Sequence, residues 1–269
     1  MQLLNDVEWT PDGLIVDGWR FHYQHGRVGD GQRNDEFSFY KLRPMLEEYQ
    51  HFFEQRSVKV RTLLEVGMWD GGSLAFWIKT LQPDHAIGVD LSARIDSPYF
   101  SHFINEHALA DRVDTHWEVN QADEKRMRAV LAGRDQDLDL VIDDASHLYG
   151  PTRSTFQTAF PLLQPGGLYV IEDWAWEHWP DFDGSRAQWA NERAMADFVH
   201  QLVQLGACSD AVRAVSIYKN FVVVERGTGV LPVRFDVEKH ITVRRSAPAV
   251  RAARQALQLA VNRARRVLR

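Results

Sequence analysis

The spacing of apolar and polar positions changes near residue 62. Before it, residues 1–33 hold short alternating runs, notably L-I-V-D-G-W-R-F-H-Y, with an Asp-Gly turn signal inside. These predict a small β appendage. Residues 36–56 follow helical spacing, with Pro44 marking a helix start, because proline lacks the amide a helix interior needs. From residue 62 onward, apolar runs alternate with amphipathic stretches. T-L-L-E-V-G (62–67) precedes G-G-S-L-A-F-W-I-K-T-L (71–81), and A-I-G-V-D-L (86–91) precedes a helical segment near 98–109. V-D-T-H-W-E-V (113–119) precedes D-E-K-R-M-R-A-V-L (123–131). L-D-L-V-I-D-D (138–144) precedes T-R-S-T-F-Q-T-A-F (152–160), and G-L-Y-V-I-E-D (167–173) follows. Short β-rich runs separated by helices of this length predict an α/β fold, a doubly wound and mostly parallel sheet.

A Trp-rich insert (174–189) and a helix over 190–206 come next. Two further β-rich runs, A-V-R-A-V-S-I-Y and F-V-V-V-E-R, flank Lys219-Asn220 and predict an antiparallel hairpin. The last stretch is an extended piece followed by a basic amphipathic helix from about residue 248. The organisation expected is an N-terminal appendage (1–60), a core (61–227) and a C-terminal extension (228–269).

Composition narrows the classes. The chain is 269 residues long and 45% hydrophobic, ordinary for a globular core. It has no run of about 18 apolar residues and no charged-then-apolar leader, so neither a membrane span nor a secretory signal is expected. The single cysteine, Cys208, forms no internal disulfide and fits a reducing, cytoplasmic setting. Nine Lys or Arg and no Asp or Glu fall between Lys239 and Arg269, leaving residues 1–238 far more acidic than the chain's net charge of −6. An acidic body disfavours phosphate-rich partners, so nucleic acid is not the expected ligand. The basic helix is expected to dock on that body or on a second subunit, with a membrane surface or nucleic acid as the other readings.

The candidate chemistry lies at the ends of the apolar runs. L-L-E-V-G-M-W-D-G-G-S passes from strand to helix through glycines, where Gly67 permits a tight turn and Gly71 and Gly72 permit close approach of a ligand. The dinucleotide pattern G-x-G-x-x-G is absent. Asp90 ends the next run, where a carboxylate can accept two ribose hydroxyls. Asp143 and Asp144 end one run, and Glu172 and Asp173 end the next. Consecutive strands of a doubly wound sheet deliver both pairs to one edge. Clustered carboxylates repel unless a cation or protons intervene, and an all-oxygen set favours Mg²⁺, Mn²⁺ or Ca²⁺ over zinc.

The glycine run resembles motif I of class I S-adenosylmethionine-dependent methyltransferases, E-x-G-x-x-x-G-x-S, and a closing antiparallel hairpin is the ending expected of that family. D-D-A-S-H-L-Y with the downstream G-G-L-Y-V-I-E-D-W is similar to the metal-dependent sugar O-methyltransferases of macrolide biosynthesis, the mycinamicin and tylosin type. It is similar also to actinobacterial enzymes that methylate rhamnose or mannose. The likeness covers roughly residues 60–225. It implies that Glu65, Gly67, Met68, Gly71, Ser73, Asp90, Gln121, Asp123 and Asp143 serve S-adenosylmethionine, with Asp123 equally readable as a helix N-cap. It implies Asp144, Glu172 and Asp173 as ligands of Mg²⁺ or Mn²⁺, and His147 as general base. Where the family commonly has D-G-S-H, this chain has Ala145, which is harmless if the backbone there keeps a negative φ.

Aromatic faces suit the C–H faces of a sugar, so Trp174, Trp176, His178 and Trp179 are candidates for contact with a small-molecule or oligosaccharide acceptor. A hydrophobic plug or dimer contact is the other reading of the insert. The resemblance implies a homo-oligomer, commonly a dimer. Three further functions compete with sugar methylation: methylation of a catechol-like phenol, hydroxylation as in cephalosporin-hydroxylase relatives, and nucleic-acid binding through the basic helix.

Overall fold

The computed structural model describes residues 3–23, 35–56, 59–93, 95–134, 137–179 and 192–241. The second half of the Trp-rich insert and the basic helix from residue 248 lie outside the described residues.

The chain opens with three short strands, β1 (Val7–Thr10), β2 (Gly13–Val16) and β3 (Trp19–Tyr23), paired antiparallel in order. Asp17 and Gly18 turn β2 into β3 with φ of 50° and 82°, the double left-handed geometry that a two-residue hairpin requires. A fourth strand, β4 (Phe37–Phe39), adds parallel to β3. Residues 37–39 sit inside the stretch expected to be helical. Their Phe-Ser-Phe alternation and pairing with β3 override the helical spacing, and helix α1 (Arg43–Glu54) begins only at Pro44's first turn.

The main sheet is built from β5 (Thr62–Val66), β6 (His85–Val89), β7 (Val113–His116), β8 (Leu138–Asp143), β9 (Leu163–Glu172), β10 (Val212–Ile217) and β11 (Phe221–Arg226), in the spatial order β10-β11-β9-β8-β5-β6-β7. The order reverses at β5. Only β11 runs against its neighbours, pairing antiparallel with both β9 and β10, so the hairpin expected around Lys219-Asn220 closes the sheet.

Crossover helices are α2 (Gly72–Leu81), α3 (Pro98–Glu106), α4 (Glu124–Val130), α5 (Tyr149–Ala159) and α6 (Met195–Cys208), with a short α7 (Val237–His240) after the hairpin. The period-two side-chain alternation of strands sorts the core into two halves. Leu63, Leu140, Ile142, Leu168, Val170, Phe221 and Val223 point to one face, where they join α1, α2, α3 and the N-terminal sheet. Leu64, Val66, Val141, Tyr169, Ile171, Val222 and Val224 point to the other, under α5 and α6. The appendage is therefore packed into the core. Trp19 sits edge-on to Phe103 and its indole N–H bonds His107 at 2.9 Å, while Phe21 and Phe39 contact Phe76. Among the described residues, no helix is long and apolar enough to cross a membrane.

Candidate active site

Register places the chemistry. Val66 pairs with Asp143, and Asp143 with Ile171, so β5, β8 and β9 end level and Asp144 emerges beside Glu172. The Asp144 amide still bonds the Val66 carbonyl at 2.8 Å, and the Asp173 amide bonds the Asn220 carbonyl at 2.8 Å, so the ladder holds both acids one residue beyond their strands. A cavity of about 590 Å³ opens at this edge, within the usual range for small-molecule sites. Its wall carries Met68, Ser73, Asp90, Gln121, Asp144, His147 and Asp173.

Gly67 has φ 94°, and a Cβ there would meet the Asp144 carbonyl oxygen at 2.2 Å; only glycine lets β5 turn this close to the acid loop. Gly71 and Gly72 make room for protein instead of ligand. A Cβ on Gly71 would strike the Phe100 ring at 2.5 Å, and one on Gly72 the Ser38 carbonyl at 2.2 Å. Asp90 takes backbone N–H groups from Trp69 and Ser92, each at 2.8 Å, one on each carboxylate oxygen. Asp90 also lines the cavity, where a carboxylate can accept from a ribose diol.

Four residues expected at the cofactor have other employment. Asp123 is exposed and caps α4 by accepting from the Arg126 amide at 3.1 Å. Asp143 turns inward, 2% exposed, accepting from Gln121 at 3.0 Å and Tyr169 at 2.8 Å; burial pushes its carboxyl up to about 7 against those two hydrogen bonds. Gln121 reaches the cavity wall, but its amide is spent on Asp143, Thr155 and the Ser146 amide. Glu65 lies beneath the floor, fully buried; burial pushes it up to about 8, opposed first by the Lys41 charge.

The acids at the other end form a compact group. His147 Nε2 lies 3.7 Å from Asp144 Oδ1 and 4.0 Å from Asp173 Oδ2. Trp69, His147 and Asp173 all line the cavity in left-handed backbone, with φ of 56°, 54° and 51°. Strain of this kind costs on the order of 1–3 kcal/mol per residue and concentrates at functional sites. Ala145 is absent from the positive-φ positions, so an alanine there in place of glycine adds no backbone strain of its own. Burial raises Asp173, with the His147 charge pulling the other way. Glu172 is raised further, by burial first and then by the Asp144 charge.

Asp144, His147 and Asp173 each present one ligand atom within 4.8 Å of the others; the two carboxylates offer the oxygen donors a divalent ion takes, with the imidazole alongside. Glu172, expected as the third carboxylate ligand, lines the same cavity, and each of its oxygens already accepts a hydrogen bond. Its Oε2 accepts from Lys41 Nζ at 2.6 Å and its Oε1 from the Tyr49 hydroxyl at 2.7 Å. Lys41 Nζ also bonds Asp144 Oδ2 at 2.6 Å. Sequence reasoning missed Lys41 and Tyr49, because nothing in a helical or extended stretch marks a lysine as buried. The available signal was the surplus of carboxylates at one sheet edge, which demanded a cation from somewhere.

In the insert, the Trp176 indole N–H donates to the His147 carbonyl at 2.9 Å, and Trp174 donates to the Tyr218 carbonyl at 2.9 Å. His178 is exposed and lies 3.5 Å from Glu177, and Trp179 is 43% exposed. None of these four lines the cavity. Trp189 lies outside the described residues.

Residues 64–174 match the family described as "Methyltransferase domain". The chain is 29% identical over 199 residues to demethylmacrocin O-methyltransferase of Streptomyces fradiae, covering 66% of this chain and 47% of that protein. It is 34% identical over 163 residues to the 8-demethyl-8-alpha-L-rhamnosyl tetracenomycin-C 2'-O-methyltransferase of Streptomyces olivaceus, covering 57% and 38%. The chain thus spans half or less of these curated relatives. Among solved structures, the MycE methyltransferase of the mycinamycin pathway in complex with Mg and SAH superposes with a TM-score of 0.50 at 25% identity, over 68% of this chain and 49% of that one. Residues 64–174 thus match a methyltransferase domain, and the chain is similar to the sugar O-methyltransferases of macrolide and tetracenomycin pathways.

Proposed function

We propose that the protein transfers a methyl group from S-adenosylmethionine to a hydroxyl of a mannose- or rhamnose-type saccharide or glycoside, with a divalent ion assisting and His147 as general base. The observation that carries this reading is that Asp90 and the Asp144–His147–Asp173 group face one cavity. A donor's ribose and an acceptor's hydroxyl can therefore be held side by side.

Bound S-adenosylmethionine supplies an electrophilic methyl group on sulfur. A divalent ion, when bound, supplies charge that acidifies and orients a hydroxyl that is barely nucleophilic by itself. Asp90, fixed by two backbone amides, holds the ribose end. Gly67 and Met68 set the floor against which the methionine portion lies. Asp144 and Asp173 are the carboxylates placed to hold the ion. His147 accepts the hydroxyl proton at Nε2 while the oxygen attacks the methyl; imidazole is the side chain whose protonation changes nearest neutral pH. Trp176, tied to the His147 carbonyl, brings the insert up to the base.

The test is mass spectrometry of mannose-, rhamnose- and phenol-bearing acceptors incubated with isotopically labelled S-adenosylmethionine. We expect label on saccharide oxygen and loss of turnover in EDTA, restored by Mg²⁺ or Mn²⁺. Label confined to phenols would overturn the sugar assignment. Oxygen-dependent acceptor turnover without methyl donor would overturn methyl transfer.

A further inference from the structure

With Trp174, Trp176 and Trp179 off the cavity wall, an acceptor needs another surface to rest on. Among the described residues, two aromatic side chains besides His147 line the cavity, Tyr40 and Trp69. Tyr40 follows β4 and lies outside the residues that match the methyltransferase domain; Trp69 lies in the turn between β5 and α2. Their rings meet edge to face, with centroids 5.7 Å apart and planes at 77°, and so form a corner. Tyr40 is 36% exposed and Trp69 is half-buried, so solvent reaches both.

Each ring is placed by the backbone beneath it. Two-residue alternation through β4 buries Phe37 and Phe39 in the core and turns Ser38 and Tyr40 to the cavity. The Ser38 amide donates to Asp70 at 3.1 Å, and Lys41, next to Tyr40, is tied to Asp144 at 2.6 Å. Opposite, the Trp69 amide donates to Asp90 at 2.8 Å, and Gly67, two residues earlier, packs against the Asp144 carbonyl. The corner is thus built on the same backbone that places Asp90 and Asp144. Trp69 keeps a φ of 56°, which a bulky side chain seldom adopts and which glycine or asparagine would adopt at less cost. Strain of that kind persists where the placement of the side chain is used.

We propose that the Tyr40–Trp69 corner is the acceptor platform, taking the C–H face of the saccharide ring and so turning a hydroxyl toward Asp144 and His147. The inference rests on the saccharide reading above. It assigns recognition of the sugar to the segment after β4 and the β5–α2 turn, and not to the Trp-rich insert. A pyranose carries C–H bonds on its faces and hydroxyls around its rim. Two rings near a right angle hold the first and leave the second to the polar groups of the cavity.

The experiment titrates methyl α-L-rhamnoside and methyl α-D-mannoside into the full chain loaded with S-adenosylhomocysteine, read by saturation-transfer NMR, beside calorimetric binding of S-adenosylhomocysteine itself. Tyr40→Leu and Trp69→Leu should each weaken glycoside binding by about tenfold, with S-adenosylhomocysteine affinity changed by less than about threefold. Tyr40→Phe and Trp69→Phe, which keep a ring, should stay within about threefold of wild type for both ligands. In turnover with labelled S-adenosylmethionine, the Leu variants should raise acceptor KM and leave kcat within about threefold. Leu variants that bind glycoside as wild type does would overturn the proposal and leave the methyl-transfer reading standing. S-adenosylhomocysteine affinity falling as far as glycoside affinity would assign the rings to the methyl donor and overturn it too. Glycoside binding lost in Trp179→Leu but kept in Tyr40→Leu and Trp69→Leu would return the acceptor to the insert, again overturning it. If Trp69→Leu does not fold, Tyr40→Leu, at the more exposed position, decides alone. A wild-type chain that binds neither glycoside would overturn the saccharide clause and the proposal together. Glycoside held by the two rings but never methylated would sustain the platform and overturn methyl transfer to sugar.

Discussion

His147 is the residue on which the proposed chemistry turns, and its left-handed backbone dictates how to test it. Asparagine tolerates φ near 54° better than most residues, so His147→Asn removes the base with least disturbance to the loop. We expect turnover to fall by about 10²–10⁴-fold while S-adenosylhomocysteine still binds, as read by calorimetry. Retained turnover would remove His147 from the mechanism. Glu65 allows a test of stability. Its carboxyl, raised from 4.5 to about 8, binds its proton more tightly in the folded state. The stability this contributes is complete below pH 4.5 and is lost as pH rises through 8. Glu65→Gln cannot ionise, so its denaturant midpoint should fall less than the wild type's between pH 5 and 8.5. Parallel curves for the two proteins would show that Glu65 does not titrate in this range.

At the scale of elements, the turns after β5 and β8 are built against each other, and Gly67 is the point of contact. Gly67→Ala would carry a Cβ into the Asp144 carbonyl as well as a forbidding φ, whereas a Cβ on Gly133, at φ 82°, meets nothing within 4 Å. Gly133→Ala should cost about 1 kcal/mol in denaturant unfolding. Gly67→Ala should cost at least twice that and abolish S-adenosylhomocysteine binding, because the two loops must separate. Equal costs would mean that the loop pair is looser than described. These elements also show what could be read beforehand. The apolar runs at 62–67, 138–144 and 167–173 announce strands buried on both faces, and their acidic ends announce the site, because both signals depend on local spacing. β4 could not be read that way. Three residues of Phe-Ser-Phe become a strand only because β3 lies alongside. Local spacing alone does not separate Asp143 from Asp144, and side-chain alternation sends the first toward Tyr169 and Gln121 in the core and leaves the second at the edge.

For the whole molecule, the described residues of the N-terminal sheet and α1 share one hydrophobic cluster with the main sheet, running from Leu14 and Phe21 through Phe76 to Ile142. A chain starting at residue 61 would expose that aromatic face and leave Asp144 and Glu172 without their ammonium. Uncompensated buried charge costs several kcal/mol, comparable to the stability of a whole domain. We expect such a chain to lose its near-ultraviolet circular dichroism and to aggregate on size-exclusion chromatography; a monodisperse, cofactor-binding fragment would show that the appendage is dispensable. The salt links of Lys41 also bear on how the chain is made. They join positions 103 and 131 residues apart. On the ribosome that lysine meets its first carboxylate only once residue 144 has been synthesised and its second only with residue 172. A nascent chain stalled before β9 therefore carries its buried cation with one of its two partners still unmade.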